Sequence, residues 1–253
     1  KGVYIIELLY PENGVYHNVK AKLYPDGSQK LTVCNRPIFK DLAFEPVKKS
    51  FVKDAKPKNM ENDTRADSIK RAKETVFDIA QLNNFDYFVT WTLDKEKINR
   101  YDPKDVSKRL RKFLNNMQNR NELKYLIIPE YHKDGAIHMH GLISGNIKLI
   151  DSSKKTKDGK TIYNMPQWKY GFSTAIELTG CKEAVSRYIT KYISKDFKKI
   201  FGSFYYAGGT GLNRHPPIKL YDTDYFSVNE KEYSIPVVNL GFKYLVTDGF
   251  YEN

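Results

Sequence analysis

In Ala136-Ile-His-Met-His-Gly-Leu-Ile143 the imidazoles of His138 and His140 are separated by one residue. Along a strand, side chains alternate faces, so both rings project to one side while Met139 points to the other. Two imidazoles so placed are a natural pair of ligands for a divalent cation. In Arg187-Tyr-Ile-Thr-Lys-Tyr-Ile-Ser-Lys195 the phenols of Tyr188 and Tyr192 stand four apart. On a helix that spacing puts them on one face, with Lys191 and Lys195 beside them. A tyrosine hydroxyl, with a pKa of about 10, is a poor nucleophile at neutral pH. A flanking ammonium helps it, and so does a cation acting as a Lewis acid on a phosphate. The combination is that of a chain which cuts and rejoins DNA through covalent intermediates. Two tyrosines allow two successive transfers without hydrolysis.

A third ligand has to come from a neighbouring strand. Lys124–His132 and Ala136–Ser144 read as a hairpin around Lys133-Asp134-Gly135. A three-residue loop with Gly135 in the left-handed position pairs His132 with Ala136 and Glu130 with His138. Glu130 then stands beside both histidines. A two-residue Asp-Gly turn would pair Glu130 with Met139 and break the triad. His132 is a rival third ligand, and Pro129 must face away from any ladder bond. Two imidazoles and a carboxylate accept Mn²⁺ or Mg²⁺ when phosphate completes the shell, the imidazoles favouring Mn²⁺; zinc would also bind. Two plainer readings stand alongside: a hydrogen-bonded histidine pair, and a core-edge tyrosine pair with snorkelling lysines.

These groups need a scaffold. Asp67-Ser68 offers an N-cap for a helix to about Leu82, with Ile69, Ala72, Val76 and Ile79 as its apolar stripe, ended by Asn83-Asn84. Phe85–Leu93 reads as a strand rich in aromatic and β-branched residues. A helix from about Pro103 to Asn119 points Val106, Leu110, Phe113 and Met117 inward and leaves Lys104, Lys108, Arg109, Arg111 and Lys112 solvated. Residues 145–170 read as a polar, Lys-rich loop, Phe172–Leu178 as a strand and Cys181–Lys195 as a helix, with Val185, Ile189 and Ile193 toward the core. Ahead of all this, Gly2–Tyr10, Val15–Leu23 and Gln29–Val33 read as short strands, and residues 45–62 as a linker. The boundary falls there: a β-rich extension over residues 1–62 and the chemical domain over residues 63–253.

Composition bears on partners. Lys and Arg outnumber Asp and Glu by 42 to 30, a formal net charge of +12. Such a surface attracts polyanions. The 19 Tyr and 14 Phe residues add stacking platforms suited to single strands. Cys34 and Cys181 lack metal or disulfide spacing, which fits a reducing compartment. No apolar run approaches the length of a membrane span, which is about 18 residues. Lys1 in place of Met and the lack of a stop signal in Gly249–Asn253 leave both ends open to trimming. No GxxxxGK[ST] motif is present, so no fused helicase is expected.

The segments resemble those of the HUH endonucleases, more narrowly the rolling-circle replication initiator (Rep) proteins of bacterial phages and plasmids. Phe88–Leu93, FVTWTL, resembles their first motif; His138–Leu142, HMHGL, with Pro129-Glu130 on the preceding strand, resembles the second. Tyr188–Lys195, YITKYISK, resembles the third in its two-tyrosine form. The likeness runs over roughly residues 64–215. It implies an α+β, ferredoxin-like core with a central antiparallel sheet flanked by helices. It also implies metal-dependent nicking of single-stranded DNA at an origin, leaving a 5′-phosphotyrosine and a 3′-OH primer. Carried over by position, Glu130, His138 and His140 are the metal ligands. Tyr188 and Tyr192 are the nucleophiles, with Lys191 and Lys195 beside the phosphate. Which tyrosine cuts first stays open. A host helicase and polymerase are implied as further partners, and a bacterial cytoplasm as the setting. Two other readings are an HUH relaxase or transposase, and a non-catalytic origin- or single-strand-binding module on the same fold. Arg214 and His215 read as solvated loop residues or DNA contacts.

Overall fold

A computed structural model of the chain describes residues 16–39, 66–193, 199–221 and 242–247. In chain order the elements are β1 (Tyr16–Leu23), β2 (Gln29–Phe39), α1 (Ala66–Leu82), β3 (Tyr87–Trp91), α2 (Pro103–Asn121), β4 (Lys124–Tyr131), β5 (Ile137–Ser144), β6 (Ile150–Lys155), β7 (Thr161–Asn164), β8 (Ser173–Glu177), α3 (Lys182–Thr190), β9 (Tyr206–Gly208), β10 (Ile218–Tyr221) and β11 (Phe242–Thr247), with a 3-10 turn over Lys191–Ile193 after α3. The fold is α+β, as the sequence predicts. The expected strand Gly2–Tyr10 and the expected linker over residues 45–62 lie outside the described residues.

Two compact units result, residues 1–56 with 216–253, and residues 57–215. The first carries a four-stranded antiparallel sheet in the order β10-β1-β2-β11. Val19, Ala21, Leu31 and Tyr221 form its buried cluster. The sheet draws strands from both ends of the chain, β10 pairing with β1 and β11 with β2.

The second unit is a seven-stranded sheet, order β6-β7-β8-β3-β5-β4-β9, antiparallel throughout and flanked by three helices. This agrees with the expected ferredoxin-like core. Alternation along the strands divides two buried clusters. Val89, Trp91, Ile127, Ile137 and Met139 face α2, where Leu110, Phe113 and Met117 meet them. Trp168 stacks on Trp91 at 4.9 Å between centroids and donates from Nε1 to the Thr92 carbonyl. Leu126, Ile128 and Leu142 face the other way, against α1 residues Ile69, Val76 and Ile79 and against Ile189 and Ile193. Both predicted helical stripes are therefore buried.

Side-chain caps mark the start of α2 and the end of α1. Asp102 accepts from the Lys104 N–H at 2.9 Å, and Pro103 occupies the first helical position of α2. The Asn83 amide donates to the carbonyls of Ile79 and Asn213 and closes α1. Ser186, fully buried, donates to Gln81 at 3.0 Å and ties α3 to α1.

Two sequence expectations are corrected. Residues 145–170 are not a loop throughout: β6 and β7 form a hairpin at the sheet edge, with a bulge between Asp151 and Lys154. The α-helix expected over Cys181–Lys195 stops at Thr190. There the Lys191 N–H reaches the Tyr188 carbonyl, an i→i+3 bond that tightens the last turn, and the Thr190 hydroxyl takes the Arg187 carbonyl at 2.7 Å.

Candidate active site

The register of β4 against β5 decides the site. The His132 N–H donates to the Ala136 carbonyl at 2.7 Å and the Gly135 N–H to the His132 carbonyl at 2.8 Å. Gly135 takes φ +82°, the left-handed conformation that the three-residue loop requires. Glu130 therefore pairs with His138, and Ile128 with His140. Counting back from His132–Ala136, Pro129 falls at a pair without hydrogen bonds, its nitrogen directed away from β5. On that side β9 pairs only as far as Ile127, so the missing N–H breaks no ladder bond.

Glu130, His138 and His140 share the sheet face that carries Phe88 and Thr90. Glu130 is buried, and its Oε2 lies 2.9 Å from His140 Nε2. The Thr90 hydroxyl, on the strand beyond, lies 3.2 Å from His140 Nδ1. With a carboxylate as acceptor, Nε2 carries the hydrogen and Nδ1 accepts from Thr90. The hydroxyl can equally accept, so Thr90 suits either tautomer.

His138 turns its ring onto His132, 4.6 Å between centroids and 16° between planes. Burial, followed by the charge of His132, holds the His138 pKa below the ordinary histidine value and favours the neutral ring. His132 Nδ1 in turn meets Asp134 Oδ1 at 3.1 Å, and Arg100 donates to Asp134 Oδ2 at 3.0 Å. The Ala136 N–H, above all, holds the Asp134 carboxyl below the usual carboxylate range. As these side chains stand, no three His, Cys, Asp or Glu among the described residues are grouped to hold a cation. The donor chemistry and the register do fit one: two imidazoles and a carboxylate project from adjacent positions of one face, and Thr90 backs one imidazole.

The tyrosines come to the same place. The Tyr192 ring lies flat on His140, 4.1 Å between centroids and 17° between planes. Its hydroxyl donates to the Tyr188 hydroxyl at 2.9 Å. Burial, then that hydrogen bond, push the Tyr192 pKa well above the ordinary tyrosine value. Tyr188 is exposed at 45% and packs edge-on against Phe88. The Lys191 ammonium sits 3.5 Å over the Tyr188 ring and 5.3 Å over that of Tyr192. A shallow cleft beside them is lined by Pro129, Glu130, Tyr192, Ile193, Ile200, Ser203 and Phe204.

Glu130, His140, Tyr188, Lys191 and Tyr192 are thus gathered, and His138 is next to them with its ring turned aside. Lys195 lies outside the described residues. Arg214 donates to the Ala207 carbonyl at 2.6 Å. Sequence reasoning assigned no role to Thr90, although it lies within FVTWTL; its placement opposite His140 was available only from strand order. Nor did it find the Arg100–Asp134–His132 chain, since Arg100 precedes α2 in a stretch without periodicity.

Fold and site together define an α+β domain that carries a carboxylate and two imidazoles on one sheet face, with two phenols from α3 and the turn after it packed over that face. Residues 86–197 match a family model described as Replication-associated protein ORF2/G2P. The match covers β3 to α3, under half of the chain, and includes every predicted site residue. It points to a replication-associated role, with DNA as the partner. No curated protein and no solved structure matches the chain. Among the described residues, no helix is long and apolar enough to cross a membrane.

Proposed function

We propose that this chain is a rolling-circle replication initiator of the two-tyrosine HUH type, which nicks and rejoins single-stranded DNA at an origin. The observation that carries this reading is the contact of Tyr192 with His140, itself bonded to Glu130. It brings the paired hydroxyls to the face where the metal ligands are expected.

A tyrosine oxygen attacks the scissile phosphorus, and the P–O3′ bond breaks. The tyrosine loses its proton and the departing 3′ oxygen gains one. A 5′-phosphotyrosine and a free 3′-OH result, with the phosphodiester energy conserved for the second tyrosine to use in rejoining. Glu130, His138 and His140 would hold Mn²⁺ or Mg²⁺, which supplies Lewis-acid polarisation of the phosphate. Lys191 places a positive charge beside both rings, where it would offset negative charge developing on the phosphate. The hydrogen bond from Tyr192 to Tyr188 holds the two candidate nucleophiles side by side.

The test is a single-stranded oligonucleotide library incubated with the chain and Mn²⁺, followed by a denaturing gel. An SDS-stable protein–DNA band is expected, dependent on cation and insensitive to chelator added afterwards. It should disappear when Tyr188 and Tyr192 are both changed to Phe. A chain that forms no such band on origin DNA, and binds single strands equally well in EDTA, would be a binding module instead.

A further inference from the structure

The β6–β7 hairpin is a feature of the second unit that this chemistry leaves unused. It is a two-stranded ribbon at the sheet edge, turned by Thr156–Lys160, where the Thr156 N–H donates to the Lys160 carbonyl at 2.8 Å. β7 pairs with β8 only through Ile162 and Tyr163. The Lys155–Thr161 pair and the turn therefore extend past the last residues paired to the sheet. Ser153, at φ +60°, sits in the bulge, and the Asp151 carboxylate accepts its N–H at 2.8 Å. A bulge of this kind bends and twists a strand.

The outer ribbon is basic. Lys154, Lys155 and Lys157 are exposed, and among the described residues no ion pair engages them. Lys160 is half-exposed and its ammonium donates to the Glu177 carbonyl at 3.4 Å. Asp158, in the turn, is the single acid between Lys154 and Lys160. Lysine on an edge strand also discourages edge-to-edge pairing. That purpose accounts for Lys154 and Lys155 on β6, but not for Lys157 and Lys160 in the turn.

We propose that this ribbon grips the phosphate backbones of duplex DNA next to the strand handled at the tyrosine site. Two paired strands lie about 4.8 Å apart, and a two-stranded ribbon fits a major groove about 12 Å wide. Residues 154–161, KKTKDGKT, contain no aromatic side chain on which an unpaired base could stack. At the candidate site, by contrast, Phe88, Tyr188 and Tyr192 lie against one another. The outer part of the ribbon thus has the charge for phosphates without the platforms for single strands. The inference rests on the reading that the chain acts on DNA, not on the nicking chemistry.

The test changes Lys154, Lys155, Lys157 and Lys160 together to Gln in the full chain. Binding to a duplex oligonucleotide, and to a single strand of the same length, is followed by fluorescence anisotropy over a KCl series. Each lost phosphate contact removes about 0.9 from the log–log salt slope, so the duplex slope should become shallower by about 3 to 4 and duplex affinity fall by tenfold or more. Single-strand affinity and single-strand cleavage should stay at the unsubstituted level, and the matching four-Arg chain should restore the duplex slope. An unchanged duplex slope, or an equal loss on the single strand, would overturn the proposal. A chain that never cleaves, yet whose duplex binding depends on these lysines, would sink the nickase reading and leave this one standing.

Discussion

Glu130 bonds to His140, although its register partner on β5 is His138. The contact is diagonal, across two residues of the neighbouring strand, a span that long side chains bridge. Both side chains are nearly buried, at 10% and 13% exposure. Glu130→Ala removes the carboxylate acceptor from His140 Nε2 in that setting, at a cost of about 1–3 kcal/mol. Glu130→Gln keeps an acceptor oxygen and the volume, so its denaturation midpoint should stay close to that of the parent chain. Both variants should lose cation-dependent cleavage. A Glu130→Gln chain that cleaves normally would remove the carboxylate from the ligand set.

Thr90 supports His140 from the opposite strand through Nδ1. Partners of this kind orient an imidazole ligand, and their loss weakens metal affinity by about 10- to 100-fold. Thr90→Val should show that loss in a Mn²⁺ titration, and Thr90→Ser should recover it. Equal affinity in the Val variant would mean that the hydroxyl orients nothing.

Gly141 separates the histidine pair from the hydrophobic end of β5. A Cβ there would run into Ile127 Cδ1 and lie 2.8 Å from the Leu126 carbonyl oxygen. Gly141→Ala should therefore destabilise by about 1–3 kcal/mol, as overpacking does. Urea denaturation measures it, and Ile127→Val in the same chain should recover part.

Tyr125 gives the pH dependence away from the site. Burial pushes its hydroxyl pKa above the ordinary value of 10.0, with Arg214 opposing. A raised folded-state pKa stabilises fully below the unfolded value, and that contribution fades as pH rises toward and through the folded one. Stability should therefore fall as pH climbs above about 10. Tyr125→Phe should flatten that part of the curve, followed by denaturation midpoints in alkaline buffers. An identical alkaline decline would assign the effect to other groups.

Much of this was legible in the sequence because local rules settled it. The Lys133-Asp-Gly135 stretch allowed two registers, and the three-residue loop, the one the structure has, places Glu130 beside His138. The apolar stripes of α1 and α2 are repeated at helical spacing and both are buried. What was not legible lacked such a local signal. No residue of β6 or β7 is fully buried, and their sequence lacks a clear apolar alternation, so it reads as loop. The early end of α3 depends on carbonyl capture by Thr190 and Lys191, which leaves no mark in the hydrophobic pattern. The pairing of β10 and β11 with β1 and β2 joins segments far apart in the chain, which strand propensity alone cannot match. The side-chain directions of His138 and His140 depend on Phe88, Thr90 and His132 together, and no spacing rule reaches that far.

The length of the loop between β4 and β5 has a consequence for tolerated change. Odd positions of β5 pack under α2, and His138 and His140, at even positions, face the other way. Adding or removing one residue between His132 and Ala136 would slide the strands by one step and exchange the two sets. The imidazoles would be pressed into the α2 core, and Met139 would take their place at the surface. Substitutions at Lys133 leave the pairing intact, whereas single-codon insertions or deletions there should erase activity and fold together.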